Sequence, residues 1–165
     1  MISIDLTIEH VLARLLALLY VGKEDEARRI AWERFRDAFE HYLNIVKLIL
    51  NYVKLRQALK SLMLSLLIML LGLGIITIFT SHIVIRTPFG AFSMSAILGL
   101  LFLFTLSGLG MRILNTWTSL GTIEKTLLRY GIDKLTLTRI LILARDELRR
   151  TWYEDYYHQQ DQKNA

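Results

Sequence analysis

The chain has no cysteine, one proline (Pro88) and, across the 51 residues from Ser61 to Met111, one charged side chain, Arg86. Without cysteine, disulfides, thiolate catalysis, iron–sulfur clusters and Cys-ligated zinc are excluded. The shortage of charge says more. A bilayer core about 30 Å thick is crossed by about 20 apolar residues rising 1.5 Å each, so the stretch is long enough for two crossings and a tight connection. No ionisable group lies well inside either crossing, which argues against a pump or coupled transporter, because these mark their pathways with such groups. Nor does the start, MISIDLTIEH, have the basic and then apolar pattern expected of a secretory leader, or a Met-Gly lipidation box.

What is present is 53% hydrophobic residues and a net charge of +5. Residues 1–60 hold ten basic and eight acidic side chains and residues 112–165 hold nine and seven, so two polar flanks surround one apolar block. The expected fold class is an all-α integral membrane protein: a two-span transmembrane hairpin over 61–111, with amphipathic cytoplasmic helices over 1–60 and 112–165. The spans are expected at about 61–80 and 88–111 with a short turn at 81–87. Thr87 is the expected N-cap, and Pro88 suits the first helical turn, where its missing N–H is no loss. The alternative, a hairpin buried in a soluble protein, needs partners covering both helices all round.

Basic residues near the span ends set the expected orientation. Lys47, Lys54, Arg56 and Lys60 precede the first span and Arg112 follows the second, while the turn offers Arg86 alone. The positive-inside rule then predicts a two-span protein of the cell membrane with both termini cytoplasmic. Ala91, Ser95 and Gly99 recur every four residues in the second span, with Gly72 and Gly74 as counterparts in the first. Small residues so spaced let helix backbones approach closely in lipid. They predict packing within the hairpin or against another copy or subunit.

Four flanking helices are expected. Apolar residues from Ile4 to Leu19 outline the first, over about 4–21, with Ser3 or Asp5 as cap and Gly22 as terminator. The second, over about 24–60, opens on Glu24, Asp25 and Glu26, where negative charge suits a helix start. It carries Trp32, Phe35, Phe39, Tyr42, Val46, Ile49 and Val53 at steps of three and four, a cytoplasmic helix seam. Without Pro or Gly from 23 to 71, this helix either continues into the first span or bends near 57–61. After the second span, one helix is expected over about 112–130, ending at Gly131, and another over about 133–158, capped by Asp133 or Thr136.

No chemistry is expected of these residues. Of His10, His41, His82 and His158, only His82 lies near a span, so a paired-imidazole haem site is not predicted. Asp37 with His41, and Glu154 or Asp155 with His158, are fragments of a di-iron pattern that needs repeated Glu-x-x-His pairs. Arg149, Arg150, Tyr153, Tyr156 and Tyr157 could stack bases, but Glu154, Asp155 and Asp161 offset the positive charge. No phosphate loop, nucleophile elbow or catalytic carboxylate pair is present. The expectation is therefore a non-enzymatic scaffold or accessory subunit without cofactor or metal, whose partners are the bilayer and other copies or subunits rather than nucleic acid. The alternative is a homo-oligomeric pore with Arg86 at its mouth.

Overall fold

The structure is a computed structural model that describes residues 6–80, 83–87 and 90–164. In chain order it contains α1 (Leu6–Val21), α2 (Glu24–Phe35), a 3-10 turn (Arg36–Ala38), α3 (Phe39–Thr80), β1 (Val84–Thr87), β2 (Gly90–Ser93), α4 (Met94–Arg129) and α5 (Lys134–Asn164). The architecture is all-helical, with two helices long and apolar enough to cross a membrane. Among the described residues, its one departure from helix and turn is a small antiparallel ribbon in the connection, pairing Val84 with Ser93, Ile85 with Phe92, Arg86 with Ala91 and Thr87 with Gly90.

Two helix ends follow directly from glycine. Gly22 sits at φ +87°, with its N–H bonded to the Leu19 carbonyl and the Lys23 N–H bonded to the Leu18 carbonyl. Gly131, at φ +81°, repeats the arrangement: its N–H reaches the Leu128 carbonyl and the Ile132 N–H reaches the Leu127 carbonyl. Both are Schellman closures, in which a left-handed residue lets the chain turn back and satisfy the last carbonyls. Ser3 and Asp5, the expected caps of α1, lie outside the described residues.

Other boundaries differ from expectation. The second span does not begin at Pro88, since residues 90–93 are in β2 and α4 starts at Met94. Its cap is Ser93, whose Oγ accepts the Ala96 N–H at 3.2 Å, and not Thr87, which lies in β1. Val84 and Ile85 are β-branched and favour an extended backbone; the Met94 N–H bonds back to the Ile83 carbonyl at 2.8 Å and closes the ribbon. α3 runs unbroken through 57–61 into the apolar stretch, and α4 likewise continues through 112 to Arg129. The break falls instead at Arg36.

The chain divides into two compact units. The first comprises residues 1–53 and 122–165, the second residues 54–121. In the first, α1 packs against α5 and α2. Half of α1 is buried, at Glu9, Leu12, Ala13 and Leu15 to Leu19, while Thr7, His10 and Arg14 form an exposed stripe, so the covered face is wider than a narrow apolar stripe. Leu43, Ile45, Val46, Ile49 and Leu50 from α3, Leu127 from α4, Ile132, and Leu137, Ile140 and Ala144 from α5 complete the core.

Candidate functional site

Among the described residues of the second unit, no apolar side chain is fully buried. None of the residues in the most apolar window of either long helix is buried, and Phe104 and Phe79 are 85% and 77% exposed. A Cβ built on Gly72, Gly74, Gly99, Gly108 or Gly110 meets no other heavy atom within 4 Å. No neighbouring helix of the same chain is seated on these glycines, so their faces are open. The proposed row is also shorter than expected, because Ala91 lies in β2, paired with Arg86, while Ser95 and Gly99 lie on α4. The hydroxyls of Thr77, Thr105 and Ser107 donate to carbonyls three or four residues back on their own helices. That is the usual way a hydroxyl satisfies itself in a helix. Lys47, Lys54, Arg56, Lys60 and Arg112 are all exposed.

The seam splits in two. Val46 is fully buried with Ile49, whereas Trp32 is 56% exposed and Phe35, Phe39 and Tyr42 are half-buried. The reason is the break at Arg36, which takes φ 41° and ψ −109°, a backbone conformation suited to glycine. Trp32 and Phe39 then meet edge to face at 5.0 Å, and Phe35 and Tyr42 stack at 3.9 Å. Residues seven apart on a straight helix are separated by about 10.5 Å along its axis, so both ring pairs exist because the chain bends. Strain at a non-glycine residue of this kind costs on the order of 1–3 kcal/mol. Two aromatic pairs at about 0.5–1.5 kcal/mol each offset it, and burial of Ala27 and Ala31 on α2 adds to the bent side.

Polar links tie the first unit's helices together. The Glu9 carboxylate, 4% exposed, faces Arg139 at 3.8 Å, and its second oxygen has no hydrogen-bond partner among the described residues. Tyr52 donates to Glu124 at 3.1 Å, and Lys134 lies 3.7 Å from the other oxygen of that carboxylate. His41 meets Tyr130 edge to face at 5.3 Å. Asp133 caps α5, accepting the Thr136 N–H at 2.7 Å; hydrogen bonds from the Thr136 side chain and backbone hold its carboxyl below the ordinary 3.8. Sequence reasoning missed Glu9, although a signal existed: Glu9 shares a helical face with Leu12, Ala13 and Leu16, all buried.

A cleft of about 220 Å³ lies among Arg14, Lys23, Glu26, Glu147, Arg150 and Thr151. Its three cations and two carboxylates largely compensate one another, with Arg150 and Glu147 3.9 Å apart. A shallower groove carries Arg145, Leu148, Arg149, Trp152 and Tyr153. Among the described residues, no three His, Asp or Glu side chains converge to hold a metal ion. His82 lies outside the described residues, as do the surroundings of the Arg86, Tyr156, Tyr157 and His158 side chains. Compared with known protein families, curated proteins and solved structures, the chain matches none.

Proposed function

We propose that the chain is a non-enzymatic integral membrane protein with two spans and both termini in the cytoplasm, acting as a scaffold or accessory subunit that assembles through its spanning helices. The observation that carries this reading is the open glycine faces of α3 and α4. In lipid, where hydrophobicity offers helices no selectivity, small residues with nothing against them are where another helix backbone can approach. The basic side chains flanking the apolar stretches support the orientation. A pore made of several copies draws less support, because the hydroxyls of Thr77, Thr105 and Ser107 that would line it are already bonded to their own helices.

The test is the mass of the full chain extracted in mild detergent and in lipid nanodiscs. The expected result is a species larger than one chain, either several copies or a copurifying subunit, and Gly99→Leu is expected to disperse it. A wild-type protein that is monomeric in both media overturns the reading. Conductance in bilayers reconstituted with the pure protein would favour the pore instead.

A further inference from the structure

We propose that Arg36 is a hinge about which α2 moves between the bent form described above and a form in which α2 and α3 join as one uninterrupted helix. No helix breaker interrupts residues 32–42, WERFRDAFEHY: the segment has neither glycine nor proline, and Glu33, Arg34, Arg36, Ala38 and Glu40 are good helix formers set among weaker ones. The apolar row also keeps its phase. Trp32, Phe35, Phe39, Tyr42, Val46 and Ile49 follow steps of three and four straight across the break, so a continuous helix aligns them on one face. The break itself is placed on the backbone of an arginine at φ 41°, the one non-glycine residue with positive φ among the described residues.

The bent form is held by contacts that the straight form lacks. The rings of Trp32 and Phe39, and of Phe35 and Tyr42, meet across the break, and Ala27 and Ala31 are fully buried. The straight form releases the strain at Arg36, gives up the packing of α2 and its two alanines against α1, turns the Gly22–Lys23 corner while α1 stays on α5, and puts the four aromatic side chains in line with Val46 and Ile49. Two packings of one segment, one strained at Arg36 and one without the ring pairs and the alanine burial, make a two-state element that a second binding event can bias. The hinge is a property of the first unit, and it stands or falls independently of the scaffold reading.

The test uses the full chain in lipid nanodiscs, with spin labels on Arg28→Cys and Lys47→Cys, both exposed in a chain that has no cysteine of its own. A straight helix separates these backbone positions by about 28 Å, and the bend shortens that distance. Two distance populations are expected. Arg36→Gly, which fits the bent backbone and weakens a continuous helix, is expected to lower the long-to-short ratio about tenfold. Phe39→Ala, which removes one ring pair, is expected to raise it about threefold. A single distance that neither variant moves, or a shift of both variants in the same direction, overturns the hinge.

Discussion

The two units of this chain use the same kinds of side chain to opposite effect. In the first, Leu12, Leu15, Ile49, Leu127 and Ile140 are almost wholly withdrawn from the surface; in the second, Leu67, Leu71, Ile76, Leu101 and Leu103 stay more than 45% exposed. Burial against its own chain stabilises the first unit by the ordinary hydrophobic effect, at about 25 cal/mol per Å² removed from water. In the second, no described apolar side chain is buried, so that term is much smaller. Apolar helices left uncovered on this scale suit another apolar medium, either lipid or other helices, and that contrast supports the proposed function beside the open glycine faces.

A matched pair of substitutions sharpens the contrast most. Leu12→Ala, at a fully buried position, is expected to destabilise the first unit by about 4 kcal/mol through lost transfer energy and a residual cavity. Leu71→Ala, at a position 62% exposed, leaves its denaturation midpoint unchanged. Leu71→Arg reverses the ranking in a different assay: membrane insertion, read by glycosylation mapping or resistance to alkaline extraction, is expected to weaken by about 3 kcal/mol. If Leu71→Arg inserts as well as the wild type, the second unit is not in lipid.

The next comparison lies inside the first unit, between the two partners of one ion pair. Arg139→Ala leaves the Glu9 carboxylate buried without a cation, and because Arg139 is itself 60% exposed, the expected cost is about 1–2 kcal/mol, below that of a fully buried pair. Glu9→Leu removes the buried charge together with its unpartnered oxygen and is expected to be neutral or stabilising. Chemical denaturation of the two variants side by side checks the order. Equal losses in both would mean that the pair contributes net attraction and is not merely a compensated burial.

Much of this division was legible in the sequence, for identifiable reasons. The charge-poor block announced the apolar helices by length, and Gly22 and Gly131 announced the ends of α1 and α4, because a Schellman closure needs a residue at positive φ. The Arg36 break had no such marker: its causes are ring pairs and alanine burial, tertiary effects that local propensity does not encode. The start of α4 differs because Thr87-Pro88 resembles a helix start in sequence, whereas pairing of residues 84–87 with 90–93 takes Thr87 into β1 and leaves the cap to Ser93. The small-residue row through Ala91, Ser95 and Gly99 presumed a helix at 91, and the ribbon removes that premise. The buried face of α1 is wider than its large apolar residues indicate, because Ala13 and Ala17, small and weakly apolar, also lie in the core.

The smallest expected effect separates a cap from a charge at the start of α5. Asp133 accepts the Thr136 N–H, and its carboxyl is held below the ordinary value by the hydrogen bonds from Thr136, with Arg139 adding attraction. A carboxylate whose folded pKa is depressed stabilises the protein above its unfolded pKa, and that stabilisation is lost as pH falls through the folded one. Asp133→Asn keeps a good N-cap but cannot titrate. The wild type is therefore expected to melt slightly higher than Asp133→Asn at pH 7, with the gap closing as the pH drops below about 4, the ordinary carboxylate range. Asp133→Ala loses the cap as well and melts below both at pH 7. A gap between wild type and Asp133→Asn that is constant from pH 7 to pH 3 would mean that the carboxylate acts on α5 through shape alone, and that the hydrogen bonds from Thr136 do not discriminate between its charged and neutral forms.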